Sequence, residues 1–249
     1  MRRPFIAANW KMNKTLNEAK NFANEFKELV KDVSDTDILV CVPYTLLCSM
    51  KNELKGTNIN IGAENVFYED SGAYTGEISA LMIKDFAEFV IVGHSERRKY
   101  FGETNDIVNK KIKKALEHDL KVVFCIGETL EKREKGITKE IVGKQVREGL
   151  SGLEVISEIT IAYEPVWAIG TGKTATPEQA QEMHSFIRDL LEELFGEDAA
   201  EKTRILYGGS VKPHNVKELM EKQDIDGGLV GGASLDAESF SKIVKFKGQ

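Results

Sequence analysis

The sequence predicts a single-domain (β/α)8 barrel, an α/β fold in which eight parallel strands alternate with helices. Three observations support this fold class. Eight short apolar runs rich in Ile and Val recur along the chain, helix-period segments lie between them, and 249 residues is a usual length for such a barrel. No Pro-, Gly- or Ser-rich linker divides the chain, so we take residues 1–249 as one domain.

Most of the apolar runs do not alternate apolar with polar residues, which is typical of strands buried on both faces of a parallel sheet. The main alternative is an open doubly wound sheet, but no GxGxxG motif opens the first helix. The eight predicted strands cover residues 5–9, 38–42, 59–63, 89–93, 122–126, 160–164, 204–208 and 227–231.

The segments between the strands carry apolar residues at helical spacing. Residues 16–30 and 177–195 each show one apolar stripe. The second of these has a strong start signal, because Thr176 is placed as the N-cap, Pro177 takes the first helical position and Gln179 completes a capping box. Two more helices are expected, one opened by Pro213 and a final one over about 236–246.

Composition limits the classes of partner. A formal net charge of −6 argues against nucleic acid, since phosphate backbones need a basic surface, although local donors can still hold a small anion. No apolar run is long enough for a membrane span, and the N-terminus lacks a signal-peptide core, so we expect a cytoplasmic protein with no membrane partner. Free thiols at Cys41, Cys48 and Cys125 fit that compartment, and four His without ligand spacing predict no metal site.

Chemistry in this fold is built at the carboxyl-terminal ends of the strands. Those ends carry Lys11, His94 and Glu164, with Asn9 at the end of the first strand. Taken singly, each of these residue types is more often a surface or structural residue. Together on one face they suit proton transfer beside a carbonyl: the carboxylate removes a carbon-bound proton, a donor polarises the carbonyl, and the cation stabilises negative charge on oxygen.

Gly-Gly pairs follow the seventh and eighth strands, in "YGGSV" (207–211) and "VGGAS" (230–234). They leave backbone N–H groups accessible, and the second pair runs into a helix N-terminus, which attracts anions. Tight turns are the alternative interpretation. The loops after these two strands form the recurrent phosphate site of such barrels, so we favour a phosphate site here.

The stretch "AYEPVWAIGTGKTAT" (162–176) roots Glu164 in a Gly-rich, nearly uncharged segment. Pro fixes its φ angle and Trp offers a large packing surface, so residues 165–167 suit a first hinge, and residues 173–175 suit a second. We predict that residues 165–175 form a lid over bound phosphate. Its closure would bring Glu164 to the substrate carbon and remove water from the carboxylate.

Eight motifs, in order along the chain, are similar to those of one family. They are "NWKMN" (9–13), "GAYTGE" (72–77), "VGHSERR" (92–98), "FGE" (101–103), "CIGETLEKREKG" (125–136), "AYEPVWAIGTGKTAT" (162–176), "YGGSV" (207–211) and "VGGASL" (230–235). Through them the chain resembles the triosephosphate isomerases along essentially its whole length. The resemblance implies a TIM barrel that interconverts dihydroxyacetone phosphate and D-glyceraldehyde 3-phosphate through an enediol(ate), with no cofactor.

The resemblance also implies roles for particular residues. Glu164 matches the catalytic base, His94 the neutral electrophile that moves protons between the two substrate oxygens, and Lys11 the electrostatic partner of the substrate. Asn9 matches a residue beside the carbonyl oxygens, and Ser95 and Glu96 match positions that support the site. The implied phosphate donors are Gly170, Ser210, Gly231 and Gly232.

A homodimer is predicted from the long loop "YEDSGAYTGE" (68–77), which would expose Tyr74 if it had no packing partner. The resemblance places Thr75 at the tip of this loop, inside a pocket of the partner subunit near Lys11. It also places Arg97 and Glu103 in an ion pair across that interface.

His94 is predicted to work as a neutral imidazole. Residues 95–100 are expected to open a short helical turn, whose positive N-terminal end disfavours an imidazolium nearby. A neutral ring can donate one proton and take up another, as an enediolate mechanism requires.

Two further readings differ from an isomerase. Another phosphate-binding barrel could be an epimerase, an aldolase or a synthase. The metal-ligand sets of a metal-dependent epimerase are missing, and so is the Schiff-base lysine inside a middle strand that an aldolase needs. A catalytically impaired barrel of the same family, engineered or serving as a scaffold, would be signalled by loss of Glu164, His94 or Lys11, and all three are present.

Overall fold

The computed structural model describes residues 2–168 and 175–248. Eight parallel strands close into a barrel in chain order, and the first strand pairs with both the second and the eighth. The predicted (β/α)8 fold is confirmed, and each predicted strand end lies within one residue of the observed one. The strands are β1 Phe5–Asn9, β2 Asp37–Val42, β3 Ile59–Ala63, β4 Phe89–Val92, β5 Lys121–Ile126, β6 Ile159–Tyr163, β7 Ile205–Tyr207 and β8 Gly227–Val230.

Helices follow the strands on the outside of the barrel. In the described residues they are α1 Leu16–Val30, α2 Tyr44–Glu53, α3 Ala80–Lys84, α4 Ser95–Tyr100, α5 Asn105–Glu117, α6 Leu130–Glu134, α7 Thr138–Gly149, α8 Pro177–Phe195, α9 Glu197–Lys202, α10 Val216–Met220 and α11 Ala237–Val244. Short 3-10 helices cover Val166–Ala168, Gly232–Leu235 and Phe246–Gly248.

Of two helix starts predicted from the sequence, one is observed as predicted and one is displaced. The capping box of Thr176 and Gln179 is present at the start of α8, with Pro177 in the first turn. The helix expected to open at Pro213 instead begins at Val216. The reason is local: the Asn215 side chain accepts from the Lys212 N–H and donates to the Ser210 carbonyl, and residues 213–215 form a turn.

The strands bury side chains on both faces, as the lack of alternation predicts. One set fills the barrel interior, and the residues between them face the helices. On β1, Phe5 and Ala7 belong to the interior cluster, whereas Ile6 and Ala8 belong to the layer under the helices. A one-residue shift in register would exchange these layers, so the packing fixes the register.

Closure of the barrel depends on a glycine. A Cβ atom added to Gly227 at the start of β8 would lie 1.8 Å from the Phe5 carbonyl oxygen. The helical ring closes by aromatic packing, since Phe26 of α1 stacks on Phe240 of α11 with ring centroids 5.0 Å apart. Such a pair contributes about 0.5–1.5 kcal/mol beyond its buried area.

The amino-terminal end of the barrel carries a buried ion-pair network. Arg188 of α8 donates to Asp224 at 2.7 Å and to Asp226 at 2.8 Å, and also to the carbonyls of Ala200 and Thr203. Arg2 donates its Nε–H to Asp226 at 2.6 Å. The network ties the first residues, α8, α9 and the segment before β8 together.

None of the helices among residues 2–168 and 175–248 combines the length and the apolar character needed to cross a lipid bilayer.

Candidate active site

A cavity of about 390 Å³ opens at the carboxyl-terminal end of the barrel. Every predicted site residue within the described ranges lines it, although these residues come from loops up to 223 positions apart. They are Asn9, Lys11, His94, Glu164, Ser210, Gly231 and Gly232. The predicted phosphate donor Gly170 lies outside the described residues. A larger cavity of about 860 Å³ lies at the opposite end of the barrel, away from all these groups.

Glu164 follows β6 and is fully enclosed, with 2% of its surface exposed. Its Oε1 lies 2.8 Å from Nε2 of His94, and its Oε2 accepts the Ser95 N–H at 3.1 Å. Two glycines make room for it, because a Cβ at Gly127 would overlap the Glu164 carbonyl and one at Gly208 would lie 2.8 Å from its Cγ. The sequence therefore holds the carboxylate in place from both neighbouring strands.

His94 ends the loop after β4 and caps α4. Its Nδ1 accepts the Glu96 N–H at 3.3 Å, so the Nδ1 lone pair faces the helix and the ring proton sits on Nε2, toward Glu164. This is the hydrogen-bonding pattern of a neutral ring. It agrees with the predicted short helix over Ser95–Tyr100 and with the tautomer that could donate to a substrate oxygen.

The two side chains shift each other's acidity. Burial disfavours both charged forms, but His94, the Ser95 N–H and the charge of Lys11 together outweigh burial and lower the pKa of Glu164. For His94, burial is likewise opposed by the Glu164 carboxylate, and the pKa of the ring is raised. That direction is opposite to the one expected from the helix N-terminus alone, because the carboxylate contact dominates. A neutral His94 during the reaction stays a prediction.

Lys11 adopts a left-handed backbone conformation with φ of 56°. A residue with a side chain pays about 1–3 kcal/mol for such geometry and keeps it where surrounding structure enforces it, commonly at active sites. Here Asn9 Oδ1 accepts the Lys11 N–H at 3.2 Å, and the Lys11 Nζ pairs with Glu96 Oε1 at 2.7 Å. Asn9 and Glu96 thus set where the cation stands in the cavity.

The predicted phosphate side is an array of backbone donors. Gly232 and Ala233 open the 3-10 helix Gly232–Leu235, and neither N–H has an acceptor among the described residues. Ser234 turns inward and donates to the Gly231 carbonyl at 2.7 Å. A Cβ on Gly232 would meet open space, so a ligand can approach this backbone closely.

One charged lining residue was not singled out from the sequence. Lys212 follows the "YGGSV" motif directly and contributes to the cavity wall next to Ser210. Its position after a predicted phosphate loop was a usable signal. Glu128 was also missed: it accepts from the Tyr163 hydroxyl at 3.0 Å and from Trp167 Nε1 at 3.0 Å, which fixes the base of the predicted first hinge.

The predicted lid is described only at its ends. Val166–Ala168 forms a 3-10 turn in which the Ala168 N–H donates to the Pro165 carbonyl at 2.7 Å. At the other end Ala175 is buried and Thr176 caps α8. Residues 169–174 lie outside the described ranges.

A groove of about 290 Å³ adjoins the cavity and shares Asn9, Lys11 and His94 with it. Both Met12 and Phe101, which line this groove, are exposed, Met12 to 96% and Phe101 to 67%. Arg97 also lines this groove, and it pairs with Glu103 of the same chain. Arg97 lies in α4 and Glu103 three residues after its end, and Lys111 of the same chain joins them. A place for this pair at a subunit interface stays a prediction.

A possible metal-binding group occurs elsewhere among the described residues. Asp70, Glu117 and His118 bring three ligand atoms within 4.8 Å of one another. Asp70 already accepts hydrogen bonds from His118 and Lys114, and Lys114 also pairs with Glu117. These contacts occupy the carboxylates and anchor the loop that carries Thr75.

Comparison with known proteins gives one consistent result. Residues 4–247 match the family model described as triosephosphate isomerase. A triosephosphate isomerase from Endomicrobium trichonymphae is 59% identical over 249 residues, covering 99% of each chain. The enzyme of the same name from Carboxydothermus hydrogenoformans is 58% identical over 98% of this chain and 99% of its own, and that from Dictyoglomus turgidum is 52% identical over 98% and 100%.

Proposed function

The chain belongs to the triosephosphate isomerase family and interconverts dihydroxyacetone phosphate and D-glyceraldehyde 3-phosphate, and we propose that Glu164, His94 and Lys11 carry out this reaction. The observation that supports these roles best is the contact between Glu164 and His94, 2.8 Å apart on the wall of the cavity. A carboxylate and an imidazole side by side can serve the carbon and the oxygens of one small substrate.

Glu164 is the base in this proposal. Its enclosed carboxylate, ionised because its pKa is lowered, takes the proton from the carbon beside the carbonyl and returns it to the neighbouring carbon. A substrate that enters between Glu164 and His94 replaces their mutual contact. The carboxylate then loses the partner that stabilises its charge, and it becomes a stronger base.

His94 and Lys11 act on the oxygens. The Nε2–H of His94 points into the cavity and can donate to the carbonyl oxygen, then take a proton from the neighbouring hydroxyl. Lys11 stabilises the negative charge of the enediol(ate), assisted by the Asn9 amide. Ser210, Gly231 and Gly232 receive the phosphate on backbone N–H groups, and Gly170 belongs to the same proposed set.

Exchange of the substrate proton with solvent tests these roles. In D2O the protein should convert either triose phosphate to the other and place deuterium on the reacting carbon, which proton NMR measures. Glu164→Gln keeps an acceptor for His94 but removes the base, and should lower turnover and exchange together by about 10³-fold or more. A wild-type protein that binds phosphate without turnover would instead support the catalytically impaired barrel.

A homodimer completes the proposal, with Thr75 of one chain in the groove of the other. Support comes from the exposed loop tip, from Tyr74 at 44% exposure, and from the open groove that borders Lys11 and His94. Shortening residues 70–76 should give monomers of greatly reduced activity. A fully active wild-type monomer in analytical ultracentrifugation at assay concentration would contradict the dimer.

Two broader features belong to the same proposal. The pairing of β1 with β8 supports a single domain over residues 1–249. Free cysteines, including the exposed Cys48, support a cytoplasmic location, where thiols stay reduced.

A further inference from the structure

The charged lining of the active-site cavity is sparse. Among the described residues only Lys11, Lys212 and Glu164 bring formal charges to its wall. The whole chain carries −6, so its general field repels a phosphate dianion. Attraction of such a substrate must come from local positive charge at the cavity.

The two lysines differ in what neutralises them. Lys11 is paired with Glu96 at 2.7 Å, so much of its charge is compensated before any substrate arrives. Lys212 is exposed, and its Nζ has no hydrogen bond or ion pair with any described residue. Within the described part of the cavity wall it is the uncompensated cation.

The backbone of Lys212 is held firmly although its side chain has no partner among the described residues. Its N–H donates to Asn215 Oδ1 at 2.8 Å, and Asn215 Nδ2 donates to the Ser210 carbonyl at 3.0 Å. The buried Val211 precedes it and Pro213, with its fixed φ, follows it. These hydrogen bonds keep Lys212 at the rim of the cavity, beside the backbone donors of Ser210 and Gly232.

We propose that Lys212 is a further phosphate-recognition residue. Its uncompensated charge attracts the substrate dianion to the backbone N–H donors of Ser210 and Gly232. The proposal rests on the isomerase function and on the phosphate site proposed above. The backbone donors fix the phosphate by short-range geometry, and Lys212 supplies the longer-range attraction that dipoles give only weakly.

The chemistry of the reaction defines the kinetic signature. The phosphate keeps its charge throughout the isomerisation, so Lys212 stabilises bound substrate and transition state equally. Loss of its charge should raise KM and leave kcat unchanged. One charge acting on a dianion across a water-filled cavity corresponds to about a threefold to tenfold effect at low ionic strength, and salt should diminish it.

The experiment compares Lys212→Gln with Lys202→Gln, which removes the same charge from an exposed lysine at the opposite end of the barrel. Lys212→Gln should raise KM for either triose phosphate by about threefold to tenfold at low ionic strength and flatten the salt dependence of kcat/KM. Lys212→Glu should raise KM further, Lys212→Arg should restore it, and Lys202→Gln should behave as wild type.

Titration with inorganic phosphate by calorimetry tests the same residue without turnover. Its Kd should rise in Lys212→Gln by a factor similar to that in KM. An unchanged phosphate Kd, or an equal loss in Lys202→Gln, would overturn the role of Lys212. If the wild-type protein binds phosphate but does not isomerise, the isomerase function fails while the phosphate titration still decides on Lys212.

Discussion

The two ends of the barrel differ in how completely they pair their buried carboxylates. At the amino-terminal end, Arg188 satisfies two carboxylates and two carbonyls at once, and Asp226 also accepts from Arg2 and from the Ile205 N–H. At the carboxyl-terminal end, Glu64 Oε1 and Trp10 Nε1 are buried without a partner among the described residues, and beside the Arg188 network His184 Nε2 is also unpaired.

Left-handed backbone geometry occurs at both ends, with a φ of 56° at Lys11 and of 58° at Asp119 before β5, but only Lys11 lines the cavity. The coupled pair at the carboxyl-terminal end, Glu164 with His94, is the pair that we propose substrate separates. Interactions that are complete stabilise a fold, whereas incomplete or strained ones leave binding energy for a ligand. This barrel therefore has a buried ion-pair network at one end and its candidate active site at the other.

Replacing Arg188 with Met should give the largest effect on stability. Met keeps the packing of the side-chain stem but leaves Asp224 and Asp226 without their shared partner, and loss of one member of a buried ion-pair network costs about 3–5 kcal/mol. Chemical denaturation should show this loss in the free energy of unfolding, with kcat unchanged at a temperature where the variant is folded. A tenfold fall in kcat, or a stability change below 1 kcal/mol, would break the division between the ends.

Lys11→Met is the matched change at the other end. It removes a cation that the proposal assigns to the developing negative charge, so kcat/KM should fall by about 10²–10³-fold, or about 3–4 kcal/mol. The free energy of unfolding should change little, since Lys11 and Glu96 are partly exposed and surface ion pairs contribute about 0–1 kcal/mol. Denaturation and steady-state kinetics on one preparation check both halves. A loss of stability as large as that of Arg188→Met would contradict the comparison.

The same division explains what the sequence could predict. Strands buried on both faces leave an unmistakable apolar pattern, and chemistry at strand ends is confined by the fold to one face, so Lys11, His94 and Glu164 could be placed together. The network of Arg188 could not be foreseen, because its partners lie 36 and 38 positions away and nothing local in α8 marks them.

Two predictions from the sequence were wrong because a neighbouring side chain outweighed the local signal: the start of the helix after Pro213 and the direction of the pKa shift of His94. Pro213 is a helix-start signal, yet the Asn215 side chain bonds the backbone of Lys212 and Ser210 and postpones the helix to Val216. The acidity of His94 was expected from its helix alone, and the Glu164 carboxylate reverses the direction. Contacts between loops from different strands carry no periodic signal, and side-chain electrostatics depends on those contacts.

Acid titration of His184 should sharpen the picture of the amino-terminal end. Burial, together with the charge of Arg188, lowers the pKa of His184 to about 4, although its hydrogen bond to the Asp224 carbonyl acts the other way. His184 is therefore protonated near pH 6.5 in the unfolded chain, but only near pH 4 in the folded chain. Stability is fully present above pH 6.5 and falls by about 3 kcal/mol as the pH drops from 6.5 to 4.

His184→Gln isolates this contribution, since Gln can still donate to the Asp224 carbonyl but does not titrate. The wild-type curve of unfolding free energy against pH should be steeper than that of the variant between pH 6.5 and 4, and parallel to it above pH 7. Curves that stay parallel through the whole range would show that His184 does not titrate as a buried neutral ring.

Glu64→Gln should change the free energy of unfolding least, and it should stabilise the protein where Arg188→Met destabilises it. Burial raises the pKa of Glu64 to about 8, with the backbone N–H and charge of Lys11 opposing it. For a carboxyl with a raised pKa, stability is greatest below the unfolded value near 4.5 and is lost as pH rises toward 8. A neutral amide avoids that loss, so the variant should be more stable than wild type at pH 8 by about 1–2 kcal/mol and equal to it at pH 4. This free-energy difference is smaller than the full pKa shift implies, because Glu64 borders an open groove where solvent screens its charge.

The groove is also where the partner loop is proposed to dock, and filling it would remove water from Glu64. The gain in Glu64→Gln should therefore grow with protein concentration as the dimer forms, and a gain independent of both pH and concentration would place the cost of Glu64 outside its charge.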